Sequence, residues 1–115
     1  LSLKEVFAGR KLTGIFQPHL FTRTRDFYKE FAQSLSLLDE VYITEIYPAR
    51  ELPIEGVTSE IIFNELRSDM EKQCCKKSDL LQIVGERDVD VLVVLGAGDV
   101  ENYMKQFKEL LEQKK

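Results

Sequence analysis

Apolar positions along the chain switch between two periods. Leu12-Thr13-Gly14-Ile15-Phe16 and Val41 to Ile46 are short runs rich in β-branched and aromatic residues, and Val89 to Leu95 is a nearly unbroken one. Runs of this kind read as buried strands. Between them the period lengthens. From Thr24 onward Phe27, Phe31, Leu35 and Leu38 recur at spacings of 4, 4 and 3, one face of a helix, with Asp26, Lys29, Glu30 and Gln33 on its other faces. Thr22 or Thr24 is expected to cap this helix, with Asp26 in its first turn. Ser59 is expected to cap a helix running to about Met70, with Ile62, Leu66 and Met70 on one side. A short strand around Gln73 to Cys75 and a short helix from Asp79 to Val84, before Gly85, come next. Asp99 is expected to cap a last helix carrying Val100, Tyr103, Met104, Phe107 and Leu111. Leu3 to Ala8 reads as an opening helix that stops at Gly9.

Helices and strands thus alternate along the whole chain. That alternation implies an α/β fold in three layers, a mostly parallel, Rossmann-like sheet with helices on both faces, built as a single domain over residues 1–115. Val89 to Leu95, apolar on both sides, is expected to be a central strand. Right-handed crossovers bring every strand-to-helix turn to one edge of the sheet. The turn at His19, the irregular loop from Tyr47 to Gly56 and the Gly96-Ala97-Gly98 turn are therefore expected to open on the same side.

Composition narrows the chemistry. A net charge of −4 and a pI near 5.1 give no global attraction to nucleic acid or to an anionic membrane surface. The longest apolar run without charge, Val91 to Ala97, is far short of the ~20 residues that span a bilayer. No pattern of a secretory leader is visible, and a reduced, cytoplasmic protein is the plain reading. Cys74 and Cys75 are adjacent, so on one strand they face opposite ways; packing rather than a disulfide is expected of them. No His or Cys cluster has metal-ligand spacing, so no metal site is expected.

The remaining chemistry gathers at Phe16-Gln17-Pro18-His19-Leu20-Phe21-Thr22-Arg23-Thr24-Arg25-Asp26. The only histidine and two arginines stand where a strand gives way to a helix. A helix start already carries unpaired N–H groups and partial positive charge. Arg23 and Arg25 add to that charge, which is unfavourable unless an anion sits nearby. Pairing with Asp26 or Glu30 is the plain alternative, but exposed pairs contribute only about 0–1 kcal/mol. A carboxylate or phosphate ligand held by this turn explains the placement better. Arg50 and Glu51 can pair with each other in the loop, and Gly96-Ala97-Gly98-Asp99 is a loose phosphate-loop signal.

Taken together, these pieces resemble the C-terminal domain of the Mur ligases, and most closely the alanine-adding branch. The matching segments are Phe16-Gln17-Pro18-His19, Thr22-Arg23-Thr24-Arg25-Asp26, Ile46-Tyr47-Pro48-Ala49-Arg50-Glu51 with Pro53-Ile54 and Gly56-Val57, and Gly96-Ala97-Gly98-Asp99, in family order across nearly all the chain. The resemblance implies a three-domain, ATP-dependent ligase that phosphorylates the carboxylate of UDP-N-acetylmuramate and joins L-alanine to the acyl phosphate, in peptidoglycan biosynthesis. It implies that His19 and Arg23 bind the L-alanine carboxylate or the acyl phosphate, with Thr22, Arg25, Gly96 and Gly98 in support and no catalytic residue in this stretch. ATP and Mg2+ would be held mainly by a central domain outside it. Leu20 departs from the pattern, since the family often has a second basic residue there, and no binding role carries over to that position.

The chain opens on Leu1, in what reads as the middle of a helix, so it is expected to be a piece of a longer protein and inactive by itself. The rival readings are a stand-alone α/β module that binds a small anion or nucleotide without catalysis, and an interaction domain whose edge docks an acidic protein. The coding sequence just upstream of Leu1 separates the first from the others. A histidine-rich Asp/Tyr/His-His-Pro segment preceded by a Gly-Lys-Thr phosphate loop is expected there. A start codon at that point would contradict the ligase reading.

Overall fold

Side chains alternate between the two faces of a strand, and here the alternation divides the core in two. The computed structural model describes residues 8–87, 89–96 and 104–113. Strands β1 (Leu12–Gln17), β2 (Glu40–Ile43), β3 (Glu71–Cys74) and β4 (Val91–Gly96) form one parallel sheet in the order β3-β2-β1-β4. Leu12, Val41 and Ile43 enter one core and Ile15 and Tyr42 the other. Helices α1 (Phe21–Leu35) and α2 (Ser59–Phe63) cover the first face, burying Ala32, Leu35 and Ile62. Helices α3 (Leu80–Glu86) and α4 (Met104–Gln113) cover the second, burying Leu80, Val84 and Phe107. Each fully buried Leu, Ile or Phe contributes roughly 1.5–3 kcal/mol. The three-layer α/β fold with a parallel sheet is the one the periodicity implies.

Several details differ from the sequence reading. The run at Val89 to Leu95 does not make the central strand. β1 lies between β2 and β4, and β4 is the edge among the described residues, with Val91 to Val94 half-buried. Val91 packs toward the first core and Leu92 and Val94 toward the second. An unbroken apolar run therefore records cover on both faces, not a place in the strand order. The second strand ends at Ile43, before Glu45 turns to solvent. Gly14 serves the interior of β1: a Cβ there would lie 2.3 Å from Leu38 Cδ1, so glycine lets Leu38 lie over the sheet.

Helix boundaries shift for identifiable reasons. α1 begins at Phe21, which puts Thr22 and Thr24 inside it; the Thr24 hydroxyl donates back to the Leu20 carbonyl at 2.8 Å. Asp26 falls in the second turn, and Phe27 is 49% exposed, so the apolar stripe is not core along its whole length. The cap of α2 is Thr58, whose hydroxyl accepts from the Glu60 N–H, while Ser59 is buried and donates to the Thr44 carbonyl. α2 stops at Phe63 instead of reaching Met70. Lys72 Nζ takes the Leu66 and Arg67 carbonyls at 3.3 and 3.0 Å, and the segment continues as turns that still bury Leu66 and Met70. Gly85 lies within α3 and does not end it. Of the opening helix, residues up to Phe7 lie outside the described residues, as do Ala97 to Tyr103; Ala8 and Gly9 form a turn.

No described helix is long and apolar enough to cross a membrane. The close approach of β4 to β1 makes a sharp test. Gly96 sits at φ +123°, and a Cβ there would lie 2.4 Å from the Gln17 carbonyl oxygen. Gly56, at φ +80°, has no atom within 4 Å of that position. Gly96→Ala is expected to lose about 2–5 kcal/mol from conformational strain plus backbone clash, and Gly56→Ala only about 1–2 kcal/mol of strain. Urea unfolding of the two variants checks this; equal losses would contradict a rigid β1–β4 contact.

Candidate functional site

In a parallel sheet all carboxyl ends open at one edge, and the described turns meet there. Gln17 at the end of β1 is in register with Gly96 of β4. On its other side the ladder toward β2 runs to the Thr44 N–H, which donates to the Phe16 carbonyl at 2.9 Å. It then resumes after a bulge as a parallel bridge between His19 and Tyr47. The Tyr47 N–H donates to the Pro18 carbonyl and the Leu20 N–H to the Tyr47 carbonyl, each at 2.8 Å. Proline has no N–H to give, so Pro18 joins this ladder through its carbonyl alone. The His19 ring is half-buried and stacks on Tyr47, with centroids 5.9 Å apart and planes at 24°.

Backbone strain concentrates in these two segments. Leu20 at φ 71° and Ala49 at φ 53° are the non-glycine residues with positive φ among those described. Such conformations cost about 1–3 kcal/mol each and persist where surrounding contacts enforce them. For Leu20 the enforcing contact is its bond to Tyr47. The start of α1 therefore has no side-chain cap of its own, because Leu20 occupies the cap position, and its first turn holds no acidic residue.

Glu51 fills that role from thirty residues away. Its Oε1 accepts from the Phe21 N–H at 2.6 Å and the Thr22 N–H at 3.2 Å, and its Oε2 accepts from the Thr22 hydroxyl at 2.6 Å. An anion does occupy this helix start, but it is a carboxylate of the chain itself and not a ligand. A ligand held here would meet side chains, not these two amides. The pairing of Arg50 with Glu51 gives way to this cap, because two amides and a hydroxyl satisfy the carboxylate better than one solvated guanidinium. The Glu51 carboxyl is held below the ordinary glutamate range, first by the Thr22 hydroxyl, then by the Thr22 and Phe21 amides and the Arg25 charge, against the opposing effect of desolvation.

The other named residues separate clearly. Arg23, third in α1, is exposed and has no ion-pair or hydrogen-bond partner among the described residues. Arg25 takes the plain alternative, pairing with Asp26 at 2.9 Å on the surface. Thr22 is committed to Glu51. Gly96 reaches the same edge through Gln17, while Gly98 lies outside the described residues. The structure thus brings His19, Thr22, Arg23 and Gly96 to one edge of the sheet. A cavity of about 350 Å³ opens beside them, beyond the end of β2, lined by Phe21, Ile46, Val57 and Glu60 among others, but neither His19 nor Arg23 lines it. Cys74 and Cys75 also line it, as free thiols. Burial raises both, Cys75 to about 11, so they stay protonated near neutral pH, as packing residues would.

Sequence reasoning gives Glu51 only as a partner for Arg50 and Tyr47 only as the start of an irregular loop, neither as a site residue. The usable signal is an absence: a helix that begins on Leu20-Phe21, with no acid in its first turn, needs a cap from elsewhere. The pH response follows from the lowered Glu51 value. A carboxyl depressed in the folded state stabilises fully above its unfolded value of about 4.3 and loses that contribution as pH falls through its folded value. The melting temperature of the wild type should therefore fall more steeply below about pH 4.3 than that of Glu51→Gln, with the two curves separated most near neutrality. Parallel curves would contradict the cap.

No family model matches the chain. Curated relatives match nearly all of it. It is 55% identical over 114 residues, 99% of this chain, to UDP-N-acetylmuramate–L-alanine ligase of Phocaeicola vulgatus. Identity is 53% over 111 residues to the ligase of that name from Parabacteroides distasonis and 49% over 113 residues to the one from Cytophaga hutchinsonii. These matches cover 25%, 24% and 24% of the relatives' own lengths, so the chain spans about a quarter of the curated relatives it matches. By sequence, then, this chain is similar to about a quarter of the length of proteins named UDP-N-acetylmuramate–L-alanine ligase.

Proposed function

We propose that this chain is the C-terminal, amino-acid-binding and closing domain of an ATP-dependent ligase that joins L-alanine to UDP-N-acetylmuramate in peptidoglycan biosynthesis. The observation that carries the reading is the match of nearly the whole chain to ligases of that name. The parent enzyme would phosphorylate the muramoyl carboxylate, the alanine amine would attack the acyl phosphate carbon, and phosphate would leave. UDP-N-acetylmuramate and most of the ATP contacts fall to the rest of the parent protein, in the cytoplasm. Among the described residues no three His, Cys, Asp or Glu side chains converge as metal ligands, and Mg2+ would be held mainly by the rest of the parent protein.

The part assigned to this domain is capture of the acceptor. Arg23 offers a guanidinium without a partner among the described residues, on a helix start whose first amides Glu51 already holds. A guanidinium binds a carboxylate through parallel N–H donors, which suits the carboxylate of L-alanine. His19, fixed against Tyr47, flanks the same turn and is assigned to the amino acid or the acyl phosphate. Thr22, Arg25 and Gly96 are assigned supporting roles at this edge; Gly98, named with them, lies outside the described residues.

Arg23→Ala in the full-length enzyme is expected to raise the alanine KM or lower turnover, with kcat/KM reduced by about 2–4 kcal/mol. Steady-state release of ADP against alanine concentration measures it. Unchanged kinetics would remove Arg23 from this role.

A further inference from the structure

We infer that Glu51 is a positioning residue for acceptor capture: it locks the start of α1 onto the loop from Thr44 to Thr58 and so fixes Arg23 beside His19, an inference that rests on the reading of Arg23 as the alanine anchor. Two segments far apart in sequence build this edge. The first is Pro18 to Arg23, carrying both assigned side chains; the second carries Tyr47 and Glu51. Two independent sets of contacts hold them together. One is the backbone pair between Tyr47 and the residues flanking His19, with the ring stack above it. The other is the Glu51 carboxylate on Phe21 and Thr22.

The first set fixes His19 but reaches no further along the chain than Leu20. Arg23 lies beyond it, in a turn whose own cap position offers no side-chain acceptor. Only the second set reaches that turn from the loop, through three hydrogen bonds to residues immediately before Arg23. An unpaired charge on a frayed helix start would sample many positions. With Glu51 in place the backbone from which Arg23 projects is held in one position relative to His19. The carboxylate also meets two first-turn amides that would otherwise attract an anion, which leaves the Arg23 side chain as the point of attachment for the ligand. Glu51 need not touch the substrate to do this.

The loop also explains why a glutamate is needed. Ala49 at φ 53° and the Glu51 N–H bonded to the Pro48 carbonyl at 2.8 Å form a tight turn that aims the side chain back at α1. Aspartate, one methylene shorter, cannot span the same gap without moving that turn.

The test uses the full-length ligase and the kinetics of its three substrates. Glu51→Ala, Glu51→Asp and Thr22→Val are each compared with the wild type and with Arg23→Ala. Glu51→Ala is expected to raise the alanine KM about tenfold, with the KM values for ATP and UDP-N-acetylmuramate and the kcat within about twofold of wild type. Thr22→Val, which removes only the hydroxyl that donates to Glu51, should shift the alanine KM in the same direction by a smaller factor, and serves if Glu51→Ala fails to fold. In the Arg23→Ala background Glu51→Ala should add little, because the residue it positions is gone. If Arg23→Ala raises the alanine KM while the Glu51 and Thr22 variants leave it unchanged, the positioning role is overturned and the anchor reading stands. If Arg23→Ala leaves the alanine KM unchanged, the anchor reading fails and the inference with it.

Discussion

Two backbone N–H groups at the start of α1 have no acceptor on their own side of the turn, and the carboxylate of Glu51 accepts from both. The arrangement at the carboxyl edge follows from that bond. It lets a helix begin on Leu20-Phe21 without a capping residue. It tolerates Arg23 and Arg25 in the positive end of the helix. It also draws the loop after β2 over the end of β1, so that Tyr47 lies under His19. Buried or half-buried charges on backbone amides are stronger than neutral pairs, and here one carboxylate joins segments separated by thirty residues.

The fold supplies the frame in which this bond has leverage. A parallel sheet with helices on both faces presents every strand end at one edge, and the two cores behind it hold that edge in place. Close packing is enforced at chosen points by glycine. Gly14 admits Leu38 against β1, and Gly96 admits the Gln17 backbone. The strain stored at Leu20 and Ala49 sits in the two segments that Glu51 and Tyr47 join, so the local cost falls within the candidate site.

Much of this was legible in the residues. The sequence reading located every described strand and α-helix, though not the 3-10 turn at Lys77–Asp79, and the alternation of elements implied a parallel sheet whose turns share an edge. The convergence of Gln17, His19, Tyr47 and Gly96 followed from that topology. What was not legible depends on contacts between distant segments. Val91 to Val94 look like a central strand because apolar composition reports covered faces and says nothing about neighbours in the sheet. The helix at Ser59 looked longer because Leu66 and Met70 keep a helical spacing while folding into turns held by Lys72. Glu51 looked like a partner for Arg50 because nearest neighbours in sequence are the default, and a cap from thirty residues away leaves no local pattern. The relatives then show which ligases the chain is similar to over a quarter of their length, while the role proposed for Arg23 rests on its charge and position.

Amide hydrogen exchange at Phe21 and Thr22 tests the central contact most directly. In the 115-residue chain both amides should be protected, and Glu51→Ala should release those two selectively while the amides of β1 and β2 keep their protection. Unchanged protection of Phe21 and Thr22 in the variant would show that the carboxylate does not hold the start of α1.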